Sequence, residues 1–192
     1  MLENMEHRGG QGAEPTSGDG AGILVQIPHK FLTAEVGELG FMLPAPGTYG
    51  VGNTFFPKED NLRAKCLVEL EKYIANFKLN LLGYREVPVN NESLGKSAKD
   101  SEPAHIQFFV APKEAMDEDT LERKMVVLRK YANRTIHQLF PSTYDSFYIS
   151  SLSCRTLIYK GQLTTEQLQQ YFLDLQRDTF ESALALVHSR FS

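Results

Sequence analysis

The stretch His7 to Ile27, HRGGQGAEPTSGDGAGILVQI, sets a glycine-dense segment directly against an apolar run. Six of the fourteen glycines lie between Gly9 and Gly22. Glycine loses more backbone freedom on folding than any other residue, so its concentration here points to a loop that needs positive φ angles or close backbone approach. Ile23, Leu24, Val25 and Ile27 then read as a buried strand, which Pro28 ends.

A phosphate cradle would place such glycines after a strand and at the start of a helix, where backbone amides meet the anion, or would end in Gly-Lys-Ser/Thr. Here the glycines precede the strand, and no Lys lies between Arg8 and Lys30. The plain alternative is a tight surface loop in which Asp19 and Ser17 side chains bond nearby amides.

Working outward, the 192 residues suffice for one substantial core, and 42% hydrophobic with 23% charged residues is ordinary for a globular domain. A net charge of −4 and a pI near 5.8, without a dense Lys/Arg cluster, argue against a nucleic-acid surface. No apolar run approaches the roughly 18 residues that span a bilayer, and the opening MLENMEHRGG has neither the basic region nor the apolar core of a secretory signal. A cytoplasmic location is the expectation. Cys66 and Cys154 are too far apart, and too far from any His at ligand spacing, for a local zinc motif; both are expected to be free, packed thiols. The five histidines form no metal signature.

Downstream, His29 to Leu39 reads as a short helix and Gly47 to Phe56 as a strand with alternate apolar positions Tyr49, Val51 and Phe55. Leu62, Cys66, Leu67, Leu70, Tyr73, Ile74, Phe77 and Leu81 recur at helical spacing, with Asp60 or Asn61 as cap and Gly83 as stop. Such a stripe packs on a sheet more readily than it forms a ligand box. Tyr84 to Val89 follows as a strand, and Asn90 to Pro103 as an exposed polar loop. Ile106 to Val110 is a strand. Glu114, Asp117, Glu118 and Asp119 then precede a helix over about Thr120 to Leu139, where acidic side chains meet the positive end of its dipole. Leu121, Met125, Leu128, Ala132, Ile136 and Leu139 should face inward. Ser146–Leu152 and Arg155–Tyr159 read as a β-hairpin, Thr164 to Gln167 as a capping box opening a helix, and Ala183 to Phe191 as a final strand. The mixture of long helices and strands is α+β or α/β.

Three blocks carry a more specific signal. His7-Arg8-Gly9 with Gly18-Asp19-Gly20-Ala21-Gly22 and ILVQIP, then FYISSLS (147–153) with RTLIYKG (155–161), then FESALALVHSRFS (180–192) stand in the order found in the amidotransferase domain of glutamate synthase large subunits, which the chain resembles. That resemblance implies an α+β, N-terminal-nucleophile hydrolase fold, a four-layer αββα sandwich, with residues 1–192 as a single partial class II amidotransferase domain incomplete at both ends. Its implied chemistry is hydrolysis of the glutamine side-chain amide, for a parent that makes glutamate from glutamine and 2-oxoglutarate.

The same resemblance assigns roles. Arg190 is expected to pair with the glutamine α-carboxylate, a task suited to a planar guanidinium that donates two parallel bonds; the plain alternative is a surface Arg at a strand end. Arg8 and Gly9 match the pair bordering the nucleophile, against a salt-bridged loop as the alternative, and Asp19 is expected to fix the glycine loop. The family's nucleophile is an N-terminal Cys, whose own α-amino group handles the proton. Residue 1 is Met and the first Cys is Cys66, so no catalytic residue is expected within these residues, and the isolated stretch is expected to be inactive and poorly stable with unpaired strand edges. No cofactor is expected within it, FMN and an iron–sulfur cluster belonging to the remainder of the parent. Its expected partners are L-glutamine, the remaining domains of the large subunit, and the small subunit. A non-catalytic module for glutamine sensing or protein binding is the second reading.

Overall fold

A computed structural model describes Gly18 and residues 20–189. The elements run β1 (Ala21–Gln26), α1 (His29–Glu38), β2 (Gly50–Phe56), α2 (Asp60–Asn76), β3 (Leu79–Glu86), α3 (Lys96–Asp100), β4 (Ala104–Pro112), α4 (Glu118–Leu139), β5 (Tyr148–Ser153), β6 (Thr156–Gly161), α5 (Thr165–Tyr171) and β7 (Ala185–His188). They form two antiparallel sheets, ordered β3-β4-β2-β5 and β6-β1-β7.

The central strand β4 explains the layering. Its even positions Ile106, Phe108 and Val110 join Cys66, Leu70 and Ile74 of α2 and Leu121, Met125 and Leu128 of α4 in one core. Phe109 and Ala111, at odd positions, join Val25 of β1 and Leu157 and Tyr159 of β6 in a second core between the sheets. A strand covered on both faces carries apolar residues at successive positions, which is why IQFFV shows no alternation. The α+β class therefore holds, with a helix–sheet–sheet arrangement among the described residues. On the outer face of the smaller sheet, Leu24 lies level with Ile158 and Leu186, and none of the three belongs to either core. Leu186 is 64% exposed, on a strand paired on one side only among the described residues.

Several local expectations hold. The Thr164–Gln167 capping box forms, with Gln167 N donating to Thr164 Oγ1 (3.3 Å) and Thr164 N to Gln167 Oε1 (2.9 Å). Asp117 caps α4 by accepting from Thr120 N at 2.9 Å, and Glu118 and Asp119 fill the first turn. Both cysteines are free and buried.

Other expectations are corrected. The residues read as a hairpin lie in different sheets: β5 pairs with β2, whereas β6 pairs with β1. Ser153 Oγ accepts from Arg155 N (2.9 Å) and Thr156 N (3.1 Å), which satisfies the turn's donors locally and lets the chain pass from one sheet to the other. β-branched and aromatic residues identify strands without naming their partners. The second helix stops at Asn76, not near Leu81, because Lys78 adopts φ 57° and redirects the chain. Phe77 and Leu81 continue the helical spacing by coincidence, with Leu81 and Gly83 inside β3. Its cap is Glu59, which accepts from Asn61 N (3.0 Å) and Leu62 N (2.8 Å), and neither Asp60 nor Asn61. The polar segment 90–103 is not a plain exposed loop: it contains α3 and buries Leu94 and Glu102. Leu139, read as inward, is 51% exposed.

A buried ion pair ties the layers together. Arg85 of β3 donates to both carboxylate oxygens of Asp174, at 2.8 and 2.7 Å, and to Glu35 of α1 at 2.7 Å. Gln107 of β4 accepts from Arg85 at 3.1 Å and donates to the Tyr159 hydroxyl of β6 at 3.0 Å; that hydroxyl donates to Asp174 at 2.7 Å. Asp174→Ala should cost about 3–5 kcal/mol of unfolding free energy in urea titrations, since it removes the bidentate partner of a buried guanidinium and leaves it only the half-buried Glu35 and Gln107. The apolar pair Arg85→Met with Asp174→Leu should recover most of that loss.

Candidate functional site

The glycine segment enters β1 between two other parts of the chain. Gly18 is buried against the Leu163–Thr164 backbone, at the cap of α5, so closely that no side chain could stand there. Four positions on, Gly22 pairs with Lys160 of β6 on one side and His188 of β7 on the other. With no side chain on Gly22, its two neighbours close over it: a Cβ there would sit 2.8 Å from His188 Nε2 and 2.9 Å from Lys160 Cβ. Burial and the nearby Lys160 charge hold the His188 imidazolium pKa below its ordinary value, which favours a neutral ring.

Arg8, Gly9, Asp19 and Arg190, the residues to which the sequence assigns the site, lie outside the described residues. What the structure brings together is the strand following Asp19 and the strand preceding Arg190, as direct antiparallel neighbours.

Neither thiol is poised for attack. Cys66 is fully buried in α2, and burial pushes its pKa up to about 11. Cys154 is also buried, and burial together with the Glu122 carboxylate pushes it up to about 12. Glu122 Oε2 accepts from Cys154 Sγ at 3.2 Å, Cys154 N at 2.9 Å and Ser153 Oγ at 3.0 Å, so the thiol serves the turn between the sheets. Thiolate is the reactive form, and both groups are thiols at neutral pH.

Among the described residues, no group of three or more His, Cys, Asp or Glu could hold a metal ion. An iron–sulfur cluster needs several thiolates and does not fit two closed-off thiols. A flavin phosphate finds no cradle in Gly18, Gly20 and Gly22 either, since they feed a strand and not a helix N-terminus.

Polar groups that sequence reasoning missed line a separate cleft of about 410 Å³, walled by Phe55, Leu94, Glu102, His105, Leu163 and Tyr171. Although burial opposes it, donors from Lys58 (2.7 Å), Tyr171 (2.6 Å) and Asn91 (3.0 Å) hold the Glu102 pKa below the usual value. Tyr171 spends its hydroxyl proton on Glu102, so at 2.9 Å it accepts from His105 Nε2, which assigns the proton of the neutral ring to that nitrogen. Burial pushes His105 down to about 4 against the opposing pull of Glu102. The available signal was a polar residue at each end of a hydrophobic strand's approach, Glu102 and His105, in a segment otherwise read as solvent-facing.

Over residues 1–192 the chain matches the family model described as glutamine amidotransferases class-II. The chain belongs to that family. It is 42% identical over 194 residues to the glutamate synthase [NADPH] large chain of Bacillus subtilis, an alignment covering 100% of this chain and 12% of that protein. It is 39% identical over 198 residues to the glutamate synthase [NADH] of Schizosaccharomyces pombe, covering 100% of this chain and 9% of that protein. With ferredoxin-dependent glutamate synthase 2 of Synechocystis it shares 36% identity over 188 residues, 98% of this chain and 12% of that protein. The chain thus spans about a tenth of the length of the curated relatives it matches. In this family member Gly22, at the start of β1, pairs with His188 of β7, and among the described residues no helix is long and apolar enough to cross a membrane.

The sign of the pH dependence at His105 follows from its depressed pKa. The unfolded chain binds a proton near pH 6.5 that the folded chain refuses until about pH 4, so stability is full above 6.5 and falls as pH drops through that window, by on the order of 3 kcal/mol. Glu102, held down in the folded state, adds a loss in the same sense below its unfolded value of 4.5. Urea midpoints of the chain between pH 6.5 and 4.5 should therefore slope downward toward acid, and His105→Gln should remove the larger part of that slope.

Proposed function

We propose that residues 1–192 are the glutaminase part of a glutamate synthase large subunit, one domain of the four-layer αββα type, which releases ammonia from L-glutamine for the conversion of 2-oxoglutarate to L-glutamate. The observation that carries this reading is identity of 36–42% to glutamate synthases over 98–100% of the chain, together with the match to the class-II model along its full length. Pairing of β1 with β7 supports it, because the strand that follows Asp19 and the strand that precedes Arg190 are neighbours in one sheet.

In this reading a thiolate attacks the amide carbon of glutamine, ammonia leaves, and water hydrolyses the thioester to glutamate. Arg190 holds the α-carboxylate, Arg8 and Gly9 border the nucleophile, and Asp19 fixes the glycine loop. Burial and raised pKa values disqualify Cys66 and Cys154, so the nucleophile is a cysteine outside residues 1–192. The ammonia condenses with the keto group of 2-oxoglutarate, and two electrons with two protons then reduce the imine. Those electrons belong to FMN and iron–sulfur chemistry in other domains of the parent, which together with a small subunit are the partners of this part. Two free thiols suit a reducing compartment and support a cytoplasmic location.

An ammonia-release assay tests this directly. Residues 1–192 alone should give no turnover, while the parent polypeptide should hydrolyse glutamine and retain its rate within about twofold after Cys66→Ala or Cys154→Ala. Turnover by residues 1–192 that vanishes on Cys66→Ala would overturn the assignment.

A second expectation concerns Arg190. Arg190→Lys keeps the charge but removes the two-pronged donor, and should raise the glutamine KM of the parent by about tenfold or more with a smaller effect on kcat. An unchanged KM removes Arg190 from the pocket.

A further inference from the structure

We infer that His188 is a positioning residue for glutamine, acting through its packing on Gly22; this rests on the functional reading above. A row of three residues crosses the smaller sheet. Lys160 of β6, Gly22 of β1 and His188 of β7 lie level with one another, and side chains level on neighbouring strands project from the same face. The centre of the row is empty of side chain, so the imidazole of His188 leans across β1 and occupies the place a Cβ at residue 22 would take.

That contact ties β7 to β1 in addition to the strand pairing. β7 is four residues long, it pairs only with β1 among the described residues, and Ala185 and Leu186 are exposed. Its paired residues run from Ala185, opposite Val25, to His188, opposite Gly22. Among the described residues His188 is therefore the last paired position of β7, two residues before Arg190 in sequence. The neighbouring Lys160 directs its ammonium over the Tyr148 ring at 4.7 Å, which keeps that cation engaged elsewhere while its stem walls the other side of Gly22.

A lock of this kind acts on orientation. If it slips, β7 loses its seat on Gly22, and in the functional reading above the loss appears in glutamine binding before it appears in the chemical step. The geometry also makes an unusual genetic prediction. A methyl group at residue 22 strikes the ring of His188 most deeply, at Cε1, and meets Lys160 Cβ at 2.9 Å, so removing the ring should remove the larger of the two clashes.

The experiment uses the full-length parent protein, with glutamate formation measured twice, once from glutamine and once from ammonium chloride, which bypasses hydrolysis. Gly22→Ala and His188→Ala should each raise the glutamine KM by about tenfold or more, with kcat and the ammonia-driven rate little changed. The effect of the double variant should fall well short of the product of the two single effects, and His188→Asn, planar and able to hydrogen-bond, should recover part of the loss. The inference is overturned if His188→Ala leaves the KM unchanged, if the two single effects multiply in the double variant, or if the ammonia-driven rate and melting temperature fall in step with the KM effect. Arg190→Lys separates the two levels of argument. A raised KM for that variant beside silent His188 variants sinks the positioning role and leaves the functional reading standing, whereas a parent without glutamine hydrolysis takes both down.

Discussion

The bidentate pair between Arg85 and Asp174 is the constraint on which the arrangement of the two sheets depends. Arg85 is 4% exposed and Asp174 1%, so both charges have left water. Removing an ion from water costs several kcal/mol in a protein interior, a cost offset only when geometry is good and every remaining donor and acceptor finds a partner. Here the partners come from everywhere: Glu35 from α1, Gln107 from β4, Tyr159 from β6, with the Phe31 ring 5.4 Å beneath the guanidinium. The network closes only if β3 and β4 of one sheet and β6 of the other take one mutual position. Burial of apolar surface holds the sheets together without specifying their offset; directional bonds to a buried charge specify it.

Placement of β6 then governs the rest. The Ser153–Arg155 turn passes the chain between sheets, so β6 reaches the inter-sheet core with Tyr159 while its backbone pairs with β1. β1 in turn carries the glycine segment on its leading side and accepts β7 on its free edge. A further link is Asn53 of β2, whose side chain donates to the Ile158 carbonyl at 2.8 Å. Thus the smaller sheet, whose strands β1 and β7 adjoin in sequence the residues proposed for glutamine binding, is held in place by polar contacts to the larger one. The relatives matched carry names specifying NADH, NADPH or ferredoxin, yet share this stretch at comparable identity.

Much of this was legible in the residue order, where the signal is local. Thr164 and Gln167 formed a capping box because the two groups that satisfy each other lie three residues apart. The α4 stripe Leu121, Met125, Leu128, Ala132, Ile136 was inward because a helix repeats its face every 3.6 residues. The family motifs were legible for a similar reason: HRG, GDGAG and HSRFS are contiguous strings. Where two local signals competed the reading failed, as at Phe77–Leu81, whose spacing continued a helix that the left-handed Lys78 had already ended.

Sequence alone determined the family, the identity of most strands and helices, and the unsuitability of two isolated cysteines for a local metal motif. Only the tertiary structure decided that β5 and β6 belong to different sheets, since a short turn between two apolar runs is compatible with pairing or with crossing, and the choice lies with partners a hundred residues away. It alone revealed Arg85 with Asp174 and Glu102 with His105, because a charged residue reads as solvent-facing until the groups that satisfy it are folded around it. It alone set His188 on Gly22, a contact between residues at opposite ends of the chain. Local propensity acts over a few residues, whereas desolvation is a property of the assembled interior, and the two therefore answer different questions.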